Sequence, residues 1–511
     1  HALMMSLCNP RVDDPRLVYD VHDTFDGRQT KLERLLTYCI HDVFVEAKVG
    51  GAVSSYVLEE QAPVEKYVAA MSHRINARGF KVDLNLANQA IAYADSELSE
   101  LSRRLNTITE GKVTKHTQRQ RIFEFLQSRD IDLPNLQRQT LEDALPTVHD
   151  PVAHAVIDIR LSGAKASTAK FKAAVDTACA DGRVRGTFRY WGAPATGRWA
   201  GGGIQPHNLP RDTAKDPYQV LEDIRMKRVP SVYKALSTLL RPMIIAEEGH
   251  KLVRCDFSAI EGRVVAWLAG DEAALEEYAG AGRMYELAAS KIYNCSPSTI
   301  RNPSPERQIG KVAELALGFG GGFKAFNSMA QNYGVKVPVE EAKRIVKKWR
   351  HGRPAVVKLW NDAEDALSRA YKLGKAGRGR PIPIGASGQV TAEYKSGAMF
   401  LRLPAGRDIV LPYFKSSIYD GPYGPTRRLT YARGNWSPAK DATEWPRCDT
   451  YGGSIVESLA QGIARDLLAW AMMELEDWGI VMHVHDEIVC EVPAEDASEC
   501  LESMTDIMSM T

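Results

Sequence analysis

Two short apolar runs near the C-terminal end of the chain enclose three polar residues. Residues 480–484 and 488–492 are mostly aliphatic, and His485-Asp486-Glu487 lies between them. This pattern predicts a β-hairpin with two adjacent carboxylates at its turn. Adjacent carboxylates repel each other unless water or a cation holds them, so a solvated turn and a divalent-metal site both remain open at this point.

Helical spacing dominates a large part of the N-terminal half. Apolar residues recur every three to four positions from Leu84 to Leu105, which predicts a long helix inside a helical stretch, residues 62–150. A basic group follows that helix at residues 112–121, and it fits either a solvated face or a clamp on a nucleic-acid backbone.

Two further helices carry polar residues of interest. Residues 251–256 predict a strand that ends at Asp256, followed by an amphipathic helix. Asp256 could cap this helix or could face the distant carboxylates of the hairpin. Residues 454–476 predict a helix in which Glu457, Gln461 and Arg465 form one polar stripe, and an exposed stripe is the simplest interpretation.

The spacing of four between Arg307, Lys311, Leu315 and Phe319 is the most informative in the chain. On a helix these residues form one stripe, two cations followed by two apolar groups. Such a surface could bind a polyphosphate at one end and stack a base at the other, although coincidence remains an alternative. The glycines at 320–322 are expected to end the helix.

Residues 192–203 form a glycine-rich loop with a single arginine. Glycine lets the backbone approach a bulky partner, and hydrogen-bond donors lie nearby at Gln205, His207, Asn208 and Arg211. The loop alone is weak evidence for phosphate binding, and the density of donors strengthens it.

Composition limits the class of protein. The 511 residues carry a formal net charge of +1, so any attraction for a polyanion must be local. No apolar run approaches the roughly 20 residues of a membrane span. Eight cysteines without a Cys-x-x-Cys pair disfavour structural zinc and favour a reducing compartment, so we expect a cytosolic protein.

Four motifs occur in a fixed order: Thr196-Gly197-Arg198, residues 256–263 (motif A), residues 307–320 (motif B) and His485-Asp486-Glu487 (motif C). Together they resemble the motifs of the family A (polymerase I type) DNA polymerases, especially the bacteriophage branch, and the resemblance runs from about Ala62 to the end. It implies template-directed addition of dNTPs to a primer 3′ end in DNA replication.

The resemblance also implies an α+β fold shaped like a right hand, with an antiparallel sheet in the palm. The expected domains are a C-terminal remnant of an exonuclease-like domain (1–61), a thumb (62–150), the first part of the palm (151–290), fingers (291–380), a small antiparallel connection (381–444) and the second part of the palm (445–511). In the remnant, Tyr38 and Asp42 resemble the third motif of proofreading 3′-5′ exonucleases. The earlier acidic motifs are missing, so we expect no exonuclease activity.

Site roles carry over by motif position. The resemblance implies that Asp256 and Asp486 bind two Mg²⁺ ions, for which Mn²⁺ can substitute, with support from Glu487. Arg307 and Lys311 are expected to hold the triphosphate, and Lys311 to protonate the leaving pyrophosphate. Further nucleotide contacts are expected from Leu315, Phe319 and Glu261, the last by crowding a ribose 2′-hydroxyl. Primer-template contacts are expected from Lys165, Thr196, Arg198, Asn208, Gln461 and His485.

Two positions depart from the family pattern. Leu315 stands where many members carry Phe or Tyr, and Phe319 replaces a tyrosine, which leaves sugar discrimination undefined. The expected partners are primer-template DNA and dNTPs, with no membrane, and the expected state is a monomer in the cytoplasm, that of the host if a phage encodes the chain. The alternatives are a DNA-binding protein without polymerase activity, a nuclease fragment and a template-directed RNA polymerase.

Overall fold

A computed structural model describes residues 31–53, 62–163, 168–280, 282–421, 424–432 and 446–510. Helices and short strands alternate through these ranges, and every pairing between the named strands is antiparallel. The α+β class expected from the motifs is therefore what the backbone adopts.

Helices dominate the first half of the chain, where the strands are short. The helices are α1 (Lys31–Val53), α2 (Ala62–Arg78), α3 (Leu84–Ile108), α4 (Arg119–Gln127), α5 (Arg138–Ala144), α6 (Pro151–Gly163), α7 (Ala169–Thr177), α8 (Pro217–Arg225) and α9 (Val232–Ser237). The strands are β1 (Phe80–Val82), β2 (Arg183–Val184), β3 (Phe188–Ala193), β4 (Arg198–Gly201), β5 (Ile244–Ile245) and β6 (His250–Asp256).

The second half begins with seven helices, which are followed by strands and by two further helices. The helices are α10 (Ile260–Ala269), α11 (Glu272–Ala279), α12 (Met284–Tyr293), α13 (Pro305–Leu317), α14 (Phe323–Asn332), α15 (Val339–Gly352), α16 (Pro354–Lys375), α17 (Gly452–Glu474) and α18 (Ala497–Ser509). The strands are β7 (Ile382–Ile384), β8 (Val390–Lys395), β9 (Ala398–Arg402), β10 (Asp408–Leu411), β11 (Lys415–Gly421), β12 (Gly424–Ala432), β13 (Arg447–Thr450), β14 (Ile480–Val484) and β15 (Glu487–Pro493).

Strands from distant parts of the chain form the sheet at the centre of the site. Its order is β14-β15-β6, so the C-terminal hairpin pairs with a strand from the middle of the chain. All five residues of β14 are buried, and α18 packs against β6 and β15. Because β15 is the middle strand, both of its edges are hydrogen-bonded, which fixes its register.

Two local predictions differ from the structure. The helical stretch 62–150 contains a strand, β1, because Phe80 and Val82 are buried against β2 and β5. The stripe from Arg307 to Phe319 is not wholly helical, since α13 ends at Leu317 and Phe319 follows it. The Gly318-Phe319-Gly320 sequence explains the early end, because glycine stabilises a helix poorly.

The helix α1 keeps Tyr38 and Asp42 on one face. A hydrogen bond to the Asp42 carboxylate raises the pKa of the Tyr38 hydroxyl, and the Tyr38 side chain is exposed. Residues 1–30 and 54–61 lie outside the described residues, so the exonuclease remnant and its inactivity stay predictions. Across the ranges described above, none of the helices combines the length and apolar character that crossing a membrane demands.

Gly310 marks a tight contact between α12 and α13. A Cβ at this position would overlap the Tyr285 carbonyl oxygen and lie 2.9 Å from the Ala289 Cβ. We expect Gly310→Ala to lower the free energy of unfolding by about 1–3 kcal/mol through overpacking. Thermal and urea unfolding followed by circular dichroism would measure it.

Gly318→Ala is the matched control, because its Cβ would meet only the Glu314 carbonyl at 3.4 Å and its backbone is right-handed helical. This change should leave stability unchanged or raise it by up to about 1 kcal/mol. Equal unfolding midpoints for the two variants would contradict the close packing at Gly310.

Candidate active site

The two predicted acids meet at one end of the β14-β15-β6 sheet. Asp256 is the last residue of β6 and lies directly opposite Glu487, the first residue of β15. The Phe257 amide donates a hydrogen bond to the Asp486 carbonyl at 3.1 Å, which closes the end of the ladder. Asp256 and Asp486 are therefore adjacent, as the metal-site interpretation of the hairpin requires, although the chain separates them widely.

Both carboxyl groups have a raised pKa. Burial, followed by the negative charge of Asp256, raises the pKa of Asp486 to about 6. Burial also raises the pKa of Asp256, and the positive charges of Arg254 and Arg211 oppose that effect. Among the described residues neither carboxylate forms an ion pair. Asp256 is exposed and Asp486 is half-buried, so a divalent cation could reach and stabilise these two close, unpaired carboxylates.

An open cavity of about 890 Å³ exposes this pair to ligands. Asp256, Asp486 and Glu487 line it together with Arg211 and His485. Glu487 is not free, because its carboxylate accepts a hydrogen bond from Arg254 Nη1 at 3.0 Å. The cavity thus combines acids for a cation with arginine nearby for an anionic partner.

The oxygens of Asp256 and Asp486 fit Mg²⁺, which prefers oxygen ligands and commonly binds through one or two carboxylates plus substrate phosphates. In the part of the chain that the structure describes, no group of three or more Asp, Glu, His or Cys side chains could hold a metal ion by itself. Waters and oxygens of a bound anionic ligand would complete the coordination.

The cation stripe lies on α13 as predicted. Ser304 caps the helix by accepting a hydrogen bond from the Arg307 amide at 3.1 Å. Lys311 Nζ lies 4.7 Å from the centre of the Tyr333 ring and 5.9 Å from that of Tyr285. Leu315 is 41% exposed, in keeping with a position open to ligand.

Sequence reasoning missed the partner of Arg307. Glu286 on α12 is 7% exposed and accepts a hydrogen bond from Arg307 Nε at 2.6 Å. The Arg307 guanidinium also lies 5.3 Å from the centre of the Tyr285 ring. An acid among the apolar residues of α12 was the available signal, because acids are rarely buried without a partner.

A second cluster joins β4, α10 and α17. Arg198 Nη2 donates to Glu261 Oε1 at 2.7 Å, and Gln461 Nε2 donates to Glu457 Oε1 at 3.3 Å. Burial, then the charge of Glu261, raises the pKa of Glu457. Three residues predicted to contact nucleotide or DNA therefore lie in one cluster with Glu457: Arg198, Glu261 and Gln461.

The sequence predicted an exposed polar stripe on α17, and this prediction is wrong at Arg465. Its side chain is buried, and its two Nη atoms donate to Glu65 at 2.7 and 2.8 Å. The guanidinium also lies 5.0 Å from the centre of the Trp199 ring. Arg465 thus ties α17 to α2, a role that the spacing alone could not show because the partner is far away in the chain.

The remaining residues predicted to contact DNA have different surroundings, and of those described only His485 lines the cavity. His485 is exposed and its Nε2 lies 3.1 Å from the His207 carbonyl oxygen. Asn208 Nδ2 donates to Gln205 Oε1 at 3.2 Å. Thr196 is buried in the turn before β4, and Lys165 lies outside the described residues.

Comparison with known proteins adds an independent line of evidence. The family model described as DNA polymerase family A matches residues 87–399. The DNA polymerase of Bacillus phage SP02 is 36% identical over 478 residues, which cover 91% of this chain and 70% of that protein. The chain belongs to DNA polymerase family A. The prediction from the four motifs is confirmed.

More distant members share parts of this polymerase. DNA polymerase I B of Arabidopsis thaliana, which acts in chloroplasts and mitochondria by its name, is 22% identical over 53% of this chain and 23% of its own length. The solved POL domain of Pol1 from M. smegmatis matches with a TM-score of 0.57 at 18% identity, over 88% of this chain and 66% of that one. The latter match confirms the polymerase fold.

The Arg307–Glu286 pair generates a prediction. Glu286 holds Nε and leaves the Nη donors of Arg307 for an anionic ligand. We expect Glu286→Ala to raise the KM for dNTP about tenfold, with kcat nearly unchanged, because Arg307 loses its fixed orientation. Steady-state single-nucleotide addition would measure both constants.

Glu286→Gln is the matched variant, because it keeps an oxygen acceptor for Nε and should retain most of the affinity. A KM for Glu286→Ala equal to that of the wild type would show that Glu286 does not position Arg307.

Proposed function

We propose that this family A polymerase extends a primer 3′ end with dNTPs at a two-metal site held by Asp256 and Asp486. The observation that carries the proposal is the register of β15 against β6, which places both acids at one end of a sheet, in an open cavity. Two-metal nucleotidyl transfer needs such a pair on a rigid support.

Asp256 and Asp486 would hold Mg²⁺ ions, which would supply activation of the primer 3′-hydroxyl and neutralisation of charge on the phosphates. Asp256 and Asp486 contribute ionised oxygens on the sheet end, with Glu487 and its partner Arg254 beside them. Mn²⁺ has similar ligand preferences and is expected to substitute.

Residues of α13 are proposed to hold the nucleotide. Arg307 and Lys311 bind the triphosphate, and Lys311 donates a proton to the leaving pyrophosphate. The Tyr285 and Tyr333 rings lie within cation–π distance of Lys311 Nζ and help to orient it. Leu315 and Phe319 then lie beside the sugar and bases.

Primer-template DNA and dNTPs are the proposed partners. The M. smegmatis relative of this fold was solved with primer-template DNA and dNTP. Lys165, Thr196, Arg198, Asn208, Gln461 and His485 are proposed to contact the duplex. Minor-groove acceptors common to all base pairs would let such donors test pairing geometry without reading sequence.

The domain boundaries proposed from the motifs are compatible with the contacts. The thumb is residues 62–150, the palm residues 151–290 and 445–511, the fingers residues 291–380, and the connection residues 381–444. Arg78 on α2 donates to the Ile480 carbonyl, so the base of the proposed thumb touches the hairpin of the proposed palm.

We propose that the protein is a monomer and that it works in the cytoplasm, which would be the cytoplasm of the host if a phage encodes the chain.

Removing either proposed metal ligand should stop synthesis. We expect Asp256→Asn and Asp486→Asn each to lower primer extension more than about 100-fold. Loss of a residue that only supports a metal ligand already costs about 10- to 100-fold, and loss of the ligand itself should cost more. Extension of a labelled primer with dNTPs, in Mg²⁺ and in Mn²⁺, would measure it.

Glu495→Gln serves as control, since this acid is exposed beyond the far end of β15. Near-normal extension by both Asn variants would refute the two-metal site. A wild-type protein that binds the duplex without extending it would favour the binding-only alternative.

Sugar selection should depend on Glu261. Its carboxylate is held at 2.7 Å by Arg198, so it is a fixed group that can crowd a 2′-hydroxyl. We expect Glu261→Ala to raise the ratio of rNTP to dNTP incorporation about 10- to 100-fold, because the carboxylate that crowds the ribose 2′-hydroxyl is removed. Competing single additions of each nucleotide would measure the ratio.

Glu457→Ala removes a neighbouring acid and should change that ratio far less. Unchanged discrimination in Glu261→Ala would exclude this role for Glu261.

A further inference from the structure

We propose that the outer face of the β11-β12-β13 sheet binds the single-stranded part of the template ahead of the templating position. This inference rests on the proposed function, because it takes Phe319 as a neighbour of the templating base. The sheet is antiparallel, with order β11-β12-β13.

The register divides the side chains of this sheet between two faces. Ser416 is opposite Leu429, and Ser416 Oγ lies 3.3 Å from Ser368 Oγ on α16, so this inner face packs on the helix. Alternation then assigns the outer face Lys415, Ser417 and Tyr419 from β11, Thr426, Arg428 and Thr430 from β12, and Arg447 and Asp449 from β13. Seven of these are exposed, and Thr430 is half-buried.

The chemistry of the outer face suits a single nucleic-acid strand. Arg428 is paired with Asp449 at 2.5 Å, whereas Lys415 has no ion pair among the described residues. The acceptors of Arg447 in the described part of the chain are all neutral, and they include the Tyr413 carbonyl at 2.9 Å. Within that part, the charges of Lys415 and Arg447 therefore have no acidic partner.

Exposed aromatic rings accompany these cations. Tyr413 and Tyr419 are 59% and 48% exposed. Unpaired bases of any sequence stack on such rings, and cations contact the phosphate backbone of the strand.

The location of the sheet connects it to the templating position. Strand β13 ends at Thr450, and Tyr451 follows at once. The Tyr451 hydroxyl donates to the Phe319 carbonyl at 3.4 Å, and Tyr451 is 50% exposed. Four residues of strand span about 13 Å, so Arg447 lies only that far along the chain from Tyr451. A template strand leaving Phe319 can reach the outer face directly.

Binding to two primer-templates tests the inference. They share one duplex and differ in the template overhang, a single nucleotide or about 12 nucleotides, a length within the usual site sizes of single-strand-binding surfaces. We expect the wild type to bind the long overhang about tenfold more tightly, the factor that one stacked base supplies. The double variant Lys415→Glu/Tyr419→Ala should lose that difference while binding the short overhang normally.

Matched variants separate this role from a general defect. Lys251→Glu/Ile418→Ala changes an exposed lysine on β6 and an exposed residue on the inner face of β11, and it should keep the difference. Tyr419→Phe should keep it as well, because the ring remains. Persistence of the difference in Lys415→Glu/Tyr419→Ala, or its absence in the wild type, would overturn the inference.

Extension on the short overhang separates the two proposals. Wild-type extension there without an overhang effect on binding would refute the template-binding face and leave the proposed function intact. An overhang effect on binding without extension of either substrate would refute the proposed function and its link to the templating position.

Discussion

The pairing of β15 with β6 is the constraint on which the site depends. It joins residues such as Arg254 and Glu487, 233 positions apart in the chain, and it forces Asp256 and Asp486 together in spite of their mutual repulsion. The far end of the same strand is also fixed, because Glu491 accepts hydrogen bonds from Arg183 at 2.5 Å and from the Glu247 amide at 2.7 Å. The unfavourable energy of the acid pair is thus offset by a ladder that cannot slip.

The helix α13, which carries the cations proposed to bind the nucleotide, is held in place by a second buried charge system. Glu314 lies between Lys311 and Leu315 in the chain but points inward, where it accepts a hydrogen bond from Trp349 Nε1 at 2.8 Å. Burial raises the pKa of Glu314, and Arg353 opposes the effect. Arg353 also pairs with Asp271 at 3.0 Å. One face of α13 is therefore anchored, which leaves the Arg307 and Lys311 face for ligand.

How far sequence could predict this molecule follows from the range of each interaction. Two apolar runs around a polar tripeptide predicted the hairpin, and the four motifs predicted the family, because each of these patterns is read from neighbouring residues. Glu286 was missed because an acid in an apolar helix does not identify its partner, Arg307, which lies on the next helix 21 positions away. The burial of Arg465 was missed because its partner, Glu65, lies 400 positions away in the chain. The end of α13 before Phe319 depends on the neighbouring glycines and on Tyr451, which contacts the Phe319 carbonyl from across the fold.

Arginines beside the proposed site are neutralised by glutamates, so a net charge of +1 is compatible with a local attraction for a polyanion. Arg307, Arg198 and Arg254 each bond a glutamate, and each pairing uses one nitrogen of the guanidinium. The remaining N–H donors stay available for phosphate or base, so the carboxylate orients the arginine without occupying it. The Lys311 ammonium is a compact charge and offers no separate set of donors of this kind. Aromatic rings hold it instead, and a phosphate can approach it without displacing an acid.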